Sequence, residues 1–101
     1  MRAIIAYLTV KPGKEATFQE HMTAQAKRCL ANEAGCLQFD VAQDPRNPTR
    51  FVMLEVYKDD AAIKAHQESE HFKNFRPVVA DLVAERKIEI FNMVSDGNAK
   101  R

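Results

Sequence analysis

Apolar side chains recur along this chain at two different periods. Residues 3–11 alternate and are rich in Ile, Leu and Val, which predicts a strand; Lys11-Pro12-Gly13 stops it, since proline lacks a ladder donor and glycine turns the chain. From about Lys14 to Asn32 the spacing changes to three and four. Phe18, Met22, Ala26, Cys29 and Leu30 then share one face of a helix that ends in "EAGC", with Gly35 as its cap. "CLQFDVAQ" (36–43) alternates again, with Leu37, Phe39 and Val41 on one side and Gln38, Asp40 and Ala42 on the other. The proline-rich "DPRNPT" makes a loop or wide hairpin connection to a third strand over 50–57. Asp59 suits an N-cap, and Ser69 marks a second helical start whose piece carries Phe72 and Phe75. Pro77 opens a further turn with Val78, Val79, Leu82 and Val83. "RKIEIFNMV" closes the pattern as a strand, and residues 95–101 form a polar tail expected to fray.

Strand, helix, strand, strand, helix, strand is the order of an α+β, ferredoxin-like fold: a four-stranded antiparallel sheet with helices on one face. A single domain over 3–94 accounts for the whole pattern. Two helices cover one face only, yet the third strand is apolar on both: Phe51, Met53 and Tyr57 point one way, Val52, Leu54 and Val56 the other. The first strand likewise sets Ile4, Ala6, Leu8 and Val10 against Ile5 and Tyr7. An antiparallel sheet with one wet face alternates more cleanly than this. Leaving such a face in water forfeits several kcal/mol at about 25 cal/mol per Å2, so a homodimer through the sheet is expected.

Composition narrows the partners. With 15 basic and 14 acidic residues in 101, the chain has no field to hold nucleic acid or an anionic membrane, and neither is expected as a partner. The opening apolar run of about ten residues falls far short of the ~20 a membrane span needs, and it lacks a small-residue cleavage site. It reads as a first strand. Cys29 and Cys36 stand in no metal or redox spacing and are read as reduced thiols of a cytoplasmic protein.

The chemistry-bearing residues are few. Glu55 interrupts the third strand on the face of Phe51, Met53 and Tyr57. A carboxylate there neutralises a neighbouring Arg or Lys, sits at a rim, or occupies an apolar cavity where burial raises its pKa and suits it to proton transfer. His66 follows Ala62 by four residues and Ile63 by three, on the inward side of its helix; His71 lies one turn before Phe75. Acid and histidines are thus placed to meet across a pocket lined by Phe39, Tyr57, Phe72 and Phe75, although a hydrogen-bonded core histidine is the commoner fate of such positions. The sequence has no glycine-rich phosphate loop, dinucleotide fingerprint, HExxH or CxxC pair, and histidines at 21, 66 and 71 make no persuasive metal site. No cofactor and no metal are expected.

"PGKEATF", "EAGCLQFDVAQDP", "RFVMLEVYKDDAAIKAHQESEHF" and the closing strand resemble the antibiotic biosynthesis monooxygenase family, including its small quinol monooxygenases, over about residues 3–94. The resemblance implies a dimeric α+β barrel of two stacked sheets. It also implies oxygenation of an aromatic quinol or polyphenol by dioxygen without flavin, haem or metal, with Glu55 and His66 catalytic and Phe39, Tyr57, His71, Phe72 and Phe75 against the substrate. Many relatives carry tryptophan where Tyr57 stands, and this chain has none. A second branch, the isomerase of the phosphorylated signal autoinducer-2, is similar through "LQFDVAQDP", "EVYKDDAA", His71 and "RKIEIFN". By that likeness Glu55 or His66 shuttles a proton between carbons, and Arg50, Lys58, Arg86 or Lys87 holds phosphate. A third reading is a non-catalytic dimeric module that binds an aromatic ligand.

Overall fold

Seven elements follow one another in the computed structural model, which describes residues 1–95 and 97: β1 (Arg2–Val10), α1 (Glu15–Asn32), β2 (Cys36–Gln43), β3 (Arg50–Tyr57), α2 (Asp60–Glu68), α3 (Glu70–Ala80) and β4 (Val83–Asn92). Apart from residues 95 and 97, the polar tail expected over 95–101 lies outside the described residues. The strands form one antiparallel sheet in the order β2-β3-β1-β4, the ferredoxin-like arrangement, with a pair of short helices in place of its second helix.

Local chemistry sets the element ends. Gly13 turns the chain after β1 with φ of 86°, a backbone region that costs glycine little. The Asp59 side chain accepts from Ala62 N at 2.8 Å and starts α2. Ser69 closes α2 and opens α3 at once: its hydroxyl donates to the His66 carbonyl (2.7 Å) and accepts from Phe72 N (3.3 Å). Pro77 does not begin a separate turn but lies inside α3. Its missing N–H leaves the Lys73 carbonyl, four residues back, without that donor, while its fixed φ is compatible with helix. Val83 belongs to β4 rather than to a turn, because Lys11 N donates to the Leu82 carbonyl and the ladder resumes at Val10–Val83 after a register shift.

The core lies between sheet and helices. Ile4, Ala6, Leu8 and Val10 of β1 and Phe51, Met53 and Tyr57 of β3 are buried there against Phe18, Met22, Ala26 and Cys29 of α1. Phe18 and Phe51 stack at 4.7 Å between ring centroids. Two apolar residues depart from the expected pattern. Leu30 is 46% exposed, since one step past Cys29 rotates it about 100° off the buried stripe. Leu37 is 50% exposed because the β2–β3 register shifts between Cys36 and Gln38, so it leaves the face of Phe39. Helix packing is close at Gly35: a Cβ there would come within 2.4 Å of Ala62 Cβ, so glycine lets α2 lie down on the start of β2.

Among the described residues, no helix covers the other sheet face. Ala3, Ile5 and Tyr7 lie in register with Val56, Leu54 and Val52, and Phe91 flanks Ala3 from β4. Leu54 is 37% and Phe91 47% exposed. The two-sided apolar sheet expected from the sequence is therefore present as a structural fact.

Candidate active site

Glu55 pairs across the sheet with Ile4 on one side and Phe39 on the other, in a row that is otherwise apolar. It is 8% exposed, and among the described residues no lysine or arginine forms an ion pair with it. Of the readings open for a carboxylate in this strand, burial is the one observed. The Tyr57 hydroxyl donates to Glu55 Oε1 at 2.7 Å. Loss of hydration pushes the Glu55 pKa up; the Tyr57 hydrogen bond and nearby His66 oppose the rise, and Glu33 adds to it. Burial, reinforced by Glu55, holds the Tyr57 phenol protonated far above its ordinary range, so Tyr57 remains a donor.

His66 is buried near the end of α2, its ring 5.2 Å from Tyr57 and 4.5 Å from Phe72 between centroids. Its Nδ1 lies 3.0 Å from both oxygens of Glu33, which follows α1 directly. The same carboxylate meets His71: Nε2 is 2.8 Å from Glu33 Oε2, close enough for charge attraction though poorly angled for a hydrogen bond. His71 Nδ1 in turn lies 3.0 Å from Gln25 Nε2, and Arg28 Nε donates to Gln25 Oε1 at 3.0 Å. Glu33 and Gln25 were not singled out from the sequence. Gln25 had a signal, a polar residue inside the apolar stripe of α1, whereas Glu33 stands where a helix ends and any polar residue is ordinary.

A cavity of about 520 Å3 opens between the sheet and α3. Glu55, His66, Phe39, Phe72 and Phe75 line it; Tyr57 and His71 do not, being placed behind Glu55 and behind Glu33 respectively. Of the four basic residues considered for phosphate, only Arg86 reaches this wall. Arg50 pairs instead with Asp44 at 3.4 Å, and Lys58 and Lys87 lie elsewhere, Lys87 next to Tyr7 on the opposite sheet face. Arg76, not anticipated, also lines the cavity, its guanidinium 5.9 Å from the Phe72 ring centroid. The cavity thus joins an apolar, aromatic wall, a buried carboxyl, an imidazole and two guanidinium groups.

Cys29 Sγ, a Glu33 oxygen and a His71 nitrogen lie within 4.8 Å of one another, a donor set of the kind that binds divalent metals. The hydrogen bonds around it argue otherwise. Arginine only donates, so Arg28 fixes Gln25 Oε1 as an acceptor and turns the amide Nε2–H toward His71 Nδ1. His71 then carries its proton on Nε2, the nitrogen that would have to ligate. Burial, and next Glu33, also push the Cys29 thiol far above its ordinary pKa, away from the thiolate a metal requires. Cys36 is pushed up to about 11, again first by burial.

The model of the family described as "Antibiotic biosynthesis monooxygenase" matches residues 1–78. The chain belongs to that family. An isomerase of Klebsiella pneumoniae that acts on (4S)-4-hydroxy-5-phosphonooxypentane-2,3-dione is 39% identical over 72 residues, 71% of this chain and 72% of that protein. A candidate monooxygenase of Bacillus subtilis, YcnE, is 37% identical over 75 residues, 74% of this chain and 78% of its own. Among solved structures, a candidate family member from Nitrosomonas europaea superposes with a TM-score of 0.88 at 35% identity, covering 94% of this chain and all of the other. The family therefore includes relatives named for two reactions, and the ferredoxin-like fold expected from the sequence is that of its members.

Proposed function

We propose that this chain is an acid–base isomerase of a small phosphorylated hydroxyketone, with Glu55 as the proton carrier. The observation that carries the reading is a buried carboxyl of raised pKa on the wall of a cavity that also holds Arg76 and Arg86. A carboxyl tuned upward toward the working pH serves both to take a proton and to return one. Glu55 removes the C–H proton beside the carbonyl, leaving an enediol(ate), and returns it to the neighbouring carbon. His66, on the same wall, takes the hydroxyl proton and delivers it to the former carbonyl oxygen. Proton number is conserved and no oxidant enters. Tyr57 keeps Glu55 Oε1 in place from behind, and the guanidinium groups attract the phosphate. The name of the Klebsiella relative supports this substrate class.

A second reading, quinol monooxygenation, is favoured by the aromatic wall of Phe39, Phe72 and Phe75 and by the family's name. There Glu55 and His66 deprotonate a hydroquinone, whose dianion reduces dioxygen directly. The two are separated by measuring solvent-deuterium incorporation into a phosphorylated hydroxyketone and oxygen uptake with a hydroquinone panel. Arg76→Ala is expected to raise KM for the phosphorylated ketone roughly 10–100-fold, the worth of one charged hydrogen bond, and to leave hydroquinone oxidation unchanged. Turnover of the hydroquinone alone reverses the order of the two readings; binding without turnover of either leaves the non-catalytic module.

The open sheet face supports a homodimer in which two copies bury Ile5, Tyr7, Val52 and Leu54 against each other. Leu54→Lys places a charge in that face, and light scattering is expected to show half the native mass. An unchanged mass, or a native monomer, counts against this interface. Two free, buried thiols accord with a reducing, cytoplasmic setting, and no helix among the described residues is long and apolar enough to cross a membrane.

A further inference from the structure

We infer that Glu33 is a positioning residue that sets the tautomer of His66 and so presents a bare Nε2 as the base of the active site. The inference rests on the acid–base reading above only in assigning His66 a proton to take; the tautomer itself follows from the hydrogen bonds.

Groups that can only donate or only accept orient the hydrogen bonds of this network. Arg28 has donors only, so Gln25 Oε1 accepts and Gln25 Nε2 donates to His71 Nδ1 at 3.0 Å. With Nδ1 occupied as an acceptor, His71 carries a proton on Nε2, which stands 2.8 Å from Glu33 Oε2 at too poor an angle for a hydrogen bond. Glu33 as a carboxylate only accepts. Its oxygens both stand 3.0 Å from His66 Nδ1, nearer than Cys29 Sγ at 3.8 Å, so in the neutral ring Nδ1 carries the proton and Nε2 is left without one. The Glu33 side chain is 9% exposed, and water does little to loosen this arrangement. Free imidazole in histidine prefers the opposite tautomer, with the proton on Nε2. Glu33 thus reverses an intrinsic preference, and it does so for a ring that lines the cavity. A carboxylate behind a histidine plays this part in metal sites and in nucleophile triads, orienting the ring and raising its basicity.

Uniformly 15N-labelled full-length protein, read by long-range correlation spectra of its imidazoles, tests this without any substrate. His66 is expected to show a protonated Nδ1 and bare Nε2, and His71 the reverse. In Glu33→Gln, of nearly the same shape, the amide offers one acceptor where the carboxylate offered two, and His66 is expected to shift toward the Nε2–H form. Glu33→Ala, if it folds, is expected to complete that shift. In turnover, Glu33→Gln is expected to lower kcat on the order of 10–100-fold with KM within about 2-fold, the pattern of a ring misoriented rather than a site lost. A wild-type His66 protonated on Nε2, or one whose spectrum is the same in Glu33→Gln, overturns the inference. Should neither substrate class be turned over, the spectra still decide on Glu33, and the acid–base reading alone is withdrawn.

Discussion

Glu55→Gln is expected to lose turnover by about 10²–10⁴-fold, the usual share of a general acid–base group, and at the same time to make the protein more stable above the ordinary carboxylate range. The two effects have one cause. Burial raises the folded-state pKa of Glu55 above its unfolded value, so the folded chain binds this proton more tightly. Below the unfolded pKa, near 4.5, both states are protonated and the group contributes its full stability. As pH rises through the folded pKa the unfolded chain gains by ionising in water, and stability is lost. Glutamine does not titrate, and its carbonyl still accepts from the Tyr57 hydroxyl. The difference in Tm between variant and wild type should therefore be small at pH 4 and grow toward pH 8. A difference independent of pH, or a variant with unimpaired turnover, contradicts the role given to Glu55.

Phe18→Ala is expected to be the most damaging single change to the fold. The ring is completely buried, stacks on Phe51 and fastens α1 to the sheet. Truncating a buried phenylalanine costs about 3–5 kcal/mol, and in a domain of this size each kcal/mol moves Tm by about 4–8 °C, so a fall of roughly 12–40 °C should be seen by calorimetry. Because α1 carries Gln25 and leads into Glu33, the loss should extend to the site: the His66 and His71 imidazole signals should broaden or shift well below the melting range. A Tm within a few degrees of wild type would mean that α1 is held by something other than this contact.

Much of this molecule could be read from its residues, for physical reasons particular to each segment. β3 announced itself because Phe51 to Val56 are apolar on both faces of the strand apart from Glu55, which drew notice for that reason. Asp59 and Ser69 were legible because an unpaired helix start needs a short oxygen-bearing side chain. His66 and Phe75 followed from helical periodicity. What stayed hidden depends on distance in space rather than along the chain. Glu33 acts on rings 33 and 38 residues away, and nothing local distinguishes it from the many glutamates that end helices. Tyr57 was correctly placed beside Glu55, but whether it faced the cavity or stood behind the acid depends on how α3 sits over the sheet. The choice among Arg50, Lys58, Arg86 and Lys87 likewise turned on strand register: Arg86 pairs with Leu8 on the helix side, while Lys87, one residue on, falls on the other. Leu37 was misplaced because an irregularity of one residue in β2 leaves no trace in an alternating pattern.

The break at Ser69 has a geometric consequence for the two imidazoles. Residues five apart on an uninterrupted helix point about 140° away from each other, so His66 and His71 on one continuous rod could not grip the same carboxylate. By ending one helix and beginning the next within a single hydroxyl-bearing residue, the chain bends just where two rings must turn inward together. The hinge of the backbone, not the spacing of the histidines, creates the clasp; straightening it with alanine at position 69 would unfasten the pair while sparing the rest of the framework.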